Sequence, residues 1–399
     1  MGFASGVNKV VVIAKESTWG TKPAPAGGTL YPRKTLDLNL TRASFKSERI
    51  NSTAQVSDLR SGTDSVTGTL AEELSAGSHT DLWASLLRGP WTTGATYTAS
   101  TISIDGTAGK FVRASGSWIT DGYKAGDLVV VTGATLPENN VRAIVKSLTA
   151  TDLVVDANLT SAAASDSITV AVGGKKLIIP QTVSARTDDS FTVEQWFNDI
   201  SVSRVATGVK VGQAAVKIQP DAMATVDFTL TGKDMISSAT RYFTNPAAPV
   251  ENSLLAGNKG TIYIDGAAIA VITGVDFTVN GNIEAGKTVG NLQLDGTRPA
   301  AALFLGMIDV SGTITAYFLD DTLFTRFRDD VTASIVFRLS GDDNKEMVMK
   351  IPAARLTSAT PSDSQTGGLT QTVAFTALLD TTPASGLEAS TIVLQEILA

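Results

Sequence analysis

Apolar and polar residues alternate with a period of two through much of this chain, the signature of strands with one buried face. Residues 35–41 show it plainly: Leu36, Leu38 and Leu40 fall on one face, and Asp37, Asn39 and Thr41 on the other. Residues 8–16 predict an earlier strand, continuously apolar from Val10 to Ile13, and 64–72 predict a later one. A Pro/Gly loop at 17–28 separates the first two. Residues 42–64 are polar and unpatterned and read as a loop of about 20 residues, a length that in a compact domain tends to carry function. Residues 78–88 place Leu82, Leu86 and Leu87 on one helical face and meet a stop at Gly89-Pro90. They predict a short helix capped by Ser78 or Thr80.

The pattern occurs twice. Val66-Thr67-Gly68-Thr69-Leu70 returns as Val310-Ser311-Gly312-Thr313-Ile314. Upstream, Leu36-Asp37-Leu38-Asn39-Leu40 matches Val275-Asp276-Phe277-Thr278-Val279. Downstream, Ile178-Ile179-Pro180 matches Lys350-Ile351-Pro352, and Val226-Asp227-Phe228-Thr229 matches Val373-Ala374-Phe375-Thr376. An acidic segment rich in Leu or Phe follows the first motif in both places, with Leu82 and Leu86 in one and Leu323 and Phe327 in the other. Each match is weak alone; the shared order implies two related β-units.

The offset between copies falls from 244 at Val66 to 172 at Ile179, which places 72 extra residues in the first copy. That stretch has its own strand rhythm, punctuated by Asp105-Gly106, Gly133 and Asn139-Asn140, and reads as a small β-barrel or Ig-like sandwich. The expected organisation is a first unit over 1–94 and 175–245, interrupted by an inserted domain at 95–174. A linker at 246–256, a second unit at 257–383 and a C-terminal arm at 384–399 follow. Residues 390–398 are expected to pair as an edge strand or to pack on a neighbour.

Composition narrows the chemistry. With 399 residues, 43% hydrophobic, the chain can bury sizeable cores. A net charge of −7 and a pI near 4.9 argue against a surface that grips nucleic acid through its phosphates. The absence of cysteine excludes disulfides, thiolate metal sites and cysteine nucleophiles. A lone histidine, His79, disfavours histidine metal sites and Ser-His-Asp triads. The N-terminal residues lack the basic and apolar regions of a signal peptide, and no run approaches the ~20 apolar residues of a membrane span. Synthesis in a cytoplasm as a soluble protein, without export by a cleaved signal, is expected.

The sharpest enzyme motif is Gly281-Asn282-Ile283-Glu284-Ala285-Gly286-Lys287-Thr288, which fits the phosphate-binding pattern G-x-x-x-x-G-K-T. Such a loop must open a helix, yet Val289-Gly290-Asn291 and Gly296-Thr297-Arg298-Pro299 are turn chemistry. The preceding strand also alternates where a central parallel strand would be continuously apolar. An NTPase is therefore the remote alternative. Acidic pairs such as Asp188-Asp189 and Asp342-Asp343 lack EF-hand spacing and read as solvated turns. No catalytic residue, cofactor or metal is expected.

Several segments resemble the major tail tube protein of long, non-contractile-tailed bacteriophages. They are Ile13-Ala14-Lys15-Glu16-Ser17-Thr18-Trp19-Gly20-Thr21, the run from Ser47-Glu48-Arg49-Ile50 to Leu59-Arg60-Ser61-Gly62, and Val66 through Leu74. Phe191-Thr192-Val193-Glu194-Gln195, Gly208-Val209-Lys210-Val211 and Val226 through Lys233 complete the set. The resemblance implies an all-β protein with minor α: two tandem tail-tube-type β-sandwich domains, each with a packed helix, beside the inserted domain. It implies self-assembly into stacked trimeric rings of pseudo-hexameric symmetry. The lumen would hold the tape measure protein and then genomic DNA, with tail terminator and distal tail proteins at the ends, in the virion tail and away from membranes. A related secretion-type tube or another virion shell protein is the alternative.

Barrel arithmetic favours six units. Twelve tilted strands spaced ~4.8 Å close at a backbone diameter of roughly 25 Å, too narrow for duplex DNA. Twenty-four close at roughly 48 Å and leave a lumen of about 35–40 Å. Candidate lumen residues are Asp37, Asn39, Asp276 and Thr278. Candidate inter-ring residues are Ser47, Glu48, Arg49 and Arg60 in 42–62, and Glu284 and Lys287 in 280–298.

Overall fold

Val66 and Val310 occupy the same place in two matching series of strand pairings. In the first half, Lys9–Lys15, Phe191–Phe197, Val202–Ile218, Thr225–Gly232, Leu59–Glu73 and Asn39–Lys46 pair in that order, each antiparallel to the next. In the second, the order is Gly260–Ile264, Ala333–Ser340, Glu346–Pro361, Thr370–Ala377, Asp309–Tyr317 and Ile272–Asn280. Helices Thr80–Leu87 and Thr322–Arg328 follow corresponding strands. The computed structural model describes residues 3–250, 252–289, 297–363, 367–381, 383 and 386–398, and it is predominantly β.

The repeated glycine has a packing cause. A Cβ on Gly68 would lie 2.4 Å from the Cα of Leu38, and one on Gly312 would lie 2.8 Å from the Cα of Phe277. At both places the neighbouring strand crosses too closely for a side chain. The long strands Val202–Ile218 and Glu346–Pro361 each carry an irregularity at the same point, between Val211 and Gln213 and between Leu356 and Ser358. Each changes partner just ahead of that point, from 191–197 to 225–231 in the first strand and from 333–340 to 371–377 in the second, so a single strand serves two sets of partners. The core between them is continuous across both halves and includes Val216, Phe228, Phe277, Phe337 and Phe375.

Two junctions weld the halves. Residues 213–218 pair with 275–280, and Val393–Ile397 lies between Lys175–Ile178 and the 346–350 stretch. The C-terminal segment is thus an interior strand, where 390–398 was expected to pair as an edge strand or to pack on a neighbour. Its residues are all buried, which an isolated edge would not allow.

Other expectations are corrected. Residues 42–64 are not a long loop. Asn39–Lys46 and the start of Leu59–Glu73 form a hairpin arm, with Arg42 opposite Asp64 and Lys46 opposite Leu59. Every residue of 39–46 is exposed, so no apolar alternation marked the strand. The match of 178–180 to 350–352 also fails: Lys175–Ile178 pairs with Trp91–Thr93 and the C-terminal strand, whereas 350–352 belongs to the long bent strand. Pairing aligns Leu230 with Phe375, since they lie opposite Gly68 and Gly312, so the 226–229 match is displaced by two residues. His79, not Ser78 or Thr80, holds the helix N-cap position, without a side-chain cap, and Arg88 ends the helix in the left-handed region at φ 57°. Asp234–Ser238 pairs with 203–207 and Phe243 is buried with Val12 and Ala14, and within the expected linker at 246–256 Ala247, Leu254 and Ala256 bridge to Thr29, Ser75 and Met223.

Between the first helix and Lys175–Ile178, seven antiparallel strands form a separate sheet with its own core of Phe111, Trp118, Tyr123 and Leu153. The Arg113 guanidinium lies 3.8 Å from the Tyr97 ring centre and 4.8 Å from that of Trp118. This sheet is anchored where both halves meet. Asp127 contacts Lys176 at 3.0 Å and Lys350 at 2.5 Å. Burial pushes its carboxyl up, but the Lys350 and Lys176 charges overcome that and hold it below the usual carboxylate range. Gln395 adds hydrogen bonds to both backbone groups of Leu128.

Candidate functional site

Joining the halves makes one curved run of eight strands: 39–46, 59–73, 225–232, 202–218, 272–280, 309–317, 370–377 and 346–361. One face carries the core. On the other, register aligns polar residues into rows that cross the strands. Asp227, Ala215, Thr278, Ser311 and Thr376 stand side by side in one row. Lys217, Asp276, Thr313, Ala374 and Ser358 form the next. Arg355, opposite Thr376, extends the first row and is paired with Asp330, so among the described residues these rows are hydroxyl-rich and sparsely charged and hold no cluster of lysines or arginines to grip phosphates.

The four lumen candidates lie on this face. Asp276 is exposed, Thr278 half-buried, and Lys217 stands 4.0 Å from Asp276. At that distance and exposure the ion pair contributes little. Asp37 interrupts its strand; its Oδ1 accepts the backbone N–H of Thr69 at 2.5 Å, standing in for a ladder bond. Asn39 donates to the Asp37 carbonyl at 2.5 Å. The sequence reading missed Asp227, Lys217 and the threonine rows. Their signal was the alternation Thr225, Asp227, Thr229, Thr231 and its partner Thr313, Thr315.

The inter-ring candidates divide between two arms. Ser47, Glu48 and Arg49 lie at the start of the 47–58 turn of the first arm, and Arg60 pairs with Asp58 at 2.8 Å on its return strand. Glu284 lies on Ile283–Gly286, which pairs with Ala302–Leu305 as a second arm, and Lys287 is exposed beyond it. Residues 290–296 of that loop lie outside the described residues. The arms approach each other at their bases: Asp64 accepts from Arg42 Nε at 2.5 Å and from the Arg298 N–H at 2.9 Å. Opposed bonds from Arg42 outweigh burial and keep the Asp64 carboxyl low.

The enzyme motifs dissolve. Residues 283–286 of the G-x-x-x-x-G-K-T segment are strand, where a phosphate loop would begin a helix. His79 is buried, with Nδ1 2.8 Å from the Tyr31 hydroxyl and Nε2 3.3 Å from the Glu73 carbonyl. Burial lowers its pKa to about 4, so it is a neutral core residue near neutral pH. Asp188 and Asp189 are paired to Lys210 and Lys15. No metal-ligating cluster occurs among the described residues.

The phage tail tube protein profile matches residues 6–377, both halves and the insertion together. The chain belongs to the phage tail tube protein family. Its members are structural components of the virion tail that assemble into a tube, which is not an enzyme class. A search of curated proteins gives no match. For a tail tube protein, the all-β architecture agrees with the sequence expectation. No helix among the described residues is long and apolar enough to cross a membrane.

Proposed function

We propose that this tail tube protein is of the siphophage type, a duplicated chain of which three copies close as a ring of pseudo-hexameric symmetry that lines the conduit for DNA ejection. The observation that carries the reading is the eight-stranded run, with a hydroxyl-rich face and an unpaired edge at each end among the described residues. Each half contributes four strands to it. Three chains supply twenty-four, which close at a backbone diameter of roughly 48 Å and admit a duplex.

The sheet's polar face lines the lumen, where scattered carboxylates repel phosphates and let the duplex slide. The tape measure protein occupies the lumen before DNA does, and tail terminator and distal tail proteins cap the tube. The subunit is made in the host cytoplasm. The turn of the first arm within 42–62 and the second arm around Glu284 and Lys287 reach between stacked rings, and residues 95–174 decorate the exterior. Mass per unit length of tubes, measured by electron microscopy, tests the stoichiometry. Three chains per ring are expected, and six would reject the trimer.

A further inference from the structure

We propose that neighbouring copies are joined side by side by repeating the joint that already links the two halves within each chain. The inference rests on the ring reading above and specifies its partner surface as a second copy of this chain, engaged head to tail.

Within the chain the joint has three parts. Residues 213–218 pair with 275–280. The second arm then lies across the first half: Gly281 N–H donates to Gly212 O at 2.7 Å, and Ala300 N–H meets Lys233 O at 3.4 Å. Finally, Arg88 at the end of the first helix donates to Gly281 O and Gly306 O, both at 2.6 Å. Val279 is fully buried there, and Leu303 is 6% exposed.

The corresponding surfaces at the far ends of the chain lack partners among the described residues. The two arms share one register: Ser44 opposite Ser61 and Lys46 opposite Leu59 in the first, Ile283 opposite Leu305 and Ala285 opposite Leu303 in the second. Leu40 thus corresponds to Val279, and Leu59 to Leu303. Yet Leu40 is 37% and Leu59 58% exposed. At the opposite end, 358–361 corresponds to 213–216, and Leu378 to Lys233, through the pairings of both strands with their inner neighbours. Leu378 and Leu379 are exposed too. The apolar surface at the first end is therefore bare where its in-chain counterparts Val279 and Leu303 are buried, and Leu378 is bare at the place where Lys233 meets the second arm. A head-to-tail contact of this kind generates a ring when its rotation closes.

The joint has a definite register. Ser358 of one copy lies opposite Thr41 of the next, Ala359 opposite Leu40, and Thr360 opposite Asn39. The stem of the first arm then crosses the neighbour's Leu378, so its base acts within a ring, whatever its turn reaches. Ser362 N–H bonds inward to Thr370 O. Pro361 therefore faces the open edge with no N–H to give, and the ladder between copies is shorter than the one within the chain.

The absence of cysteine makes the test clean. Thr41→Cys with Ser358→Cys should crosslink assembled tubes into covalent trimers and leave free monomer uncrosslinked. Gln213→Cys with Asn280→Cys is the in-chain control and should close within one chain. Separately, Leu59→Glu and Leu378→Glu should each raise the concentration needed for assembly at least tenfold, with the thermal midpoint of the monomer unchanged. Tubes that form without the T41C/S358C crosslink, or at normal concentration in both glutamate variants, overturn the joint and leave the tube reading standing. A wild-type chain that forms neither rings nor tubes overturns the tube reading first, and the joint with it.

Discussion

Helices Thr80–Leu87 and Thr322–Arg328 follow corresponding strands but live in different surroundings. Leu82, Trp83, Leu86 and Leu87 of the first are buried, whereas no residue of the second is. The difference lies in what surrounds each. Trp83 meets Phe228 edge-on at 5.2 Å, Trp91 Nε1 donates to the Thr80 carbonyl, and Thr80 Oγ1 reaches Glu396 at 3.3 Å. The strands Trp91–Thr93, Lys175–Ile178 and Val393–Ile397 that supply this surround pair with one another. The second helix packs only Leu323 and Phe327 toward the core and leaves Phe324 38% exposed. One helix is part of the subunit's folding core, while the other presents apolar surface that folding alone does not consume.

Trp83→Ala and Phe324→Ala test that contrast most strongly. Removing a fully buried indole against Phe228 should cost about 3–5 kcal/mol, the range for large-to-small core changes. Trimming Phe324 should cost about 0.5–1 kcal/mol, as for a partly exposed side chain. Denaturant melts of the monomer measure both. Equal losses would show that the second helix is as integral to the fold as the first.

A smaller effect probes the carboxyl at the first helix. Burial pushes Glu396 up to about 7, against hydrogen bonds from the Gly77 backbone and Thr80 that pull it down. Tyr31, His79, Asp81 and Glu72 lie in the same region, and Glu72 is also raised to about 7, chiefly by burial. A folded pKa above the unfolded one means that the folded state holds its proton more tightly. Stability is thus greatest below about 4.5 and falls as pH rises from there through about 7. Glu396→Gln should flatten that fall and stabilise the protein at pH 8 by about 1–3 kcal/mol. Thermal melts from pH 5 to 8 measure it, and an unchanged slope would place the pH dependence elsewhere.

What the sequence revealed follows from burial. Leu36, Leu38 and Val275, Phe277 were legible because one face of each strand meets a core. The Val-x-Gly-Thr repeat was legible because Gly68 and Gly312 must admit a neighbouring backbone. The hairpin arm was not, because 39–46 is exposed throughout and pairing of that kind leaves no apolar trace. The central place of 393–397 was equally hidden, since its partners lie far away in sequence and short apolar strands carry no address for them. The 178–180 match failed because it rests on a single Ile-Pro pair, which recurs easily by chance. The polar rows were half legible: Asp37, Asn39, Asp276 and Thr278 stood out through the repeat, whereas Asp227 and Lys217 became visible only with register.

Asp37 and Asp276 give the smallest expected change in stability and the sharpest comparison between the halves. Both are exposed on the polar face; replacing Asp276 with lysine should shift stability by no more than about 0.5 kcal/mol, and replacing Asp37, whose carboxylate accepts a backbone N–H, by about 1 kcal/mol. Their neighbours differ. Asp276→Lys removes the partner of Lys217 and sets two ammonium groups side by side, whereas Asp37→Lys removes a carboxylate that accepts the Thr69 N–H. If this face lines the conduit, each position occurs three times per trimeric ring, and the double variant replaces two carboxylate belts with lysine belts. Each lysine pairs with passing phosphates, and release of many such contacts is slow and salt-dependent. Tubes should assemble normally, DNA release should slow, and added salt should partly restore it. The Asp276→Lys variant should slow release more than Asp37→Lys, because Lys217 deepens its positive patch. Ejection followed by fluorescence on intact virions measures this, and unchanged kinetics in the double variant would move the lumen to another face of the subunit.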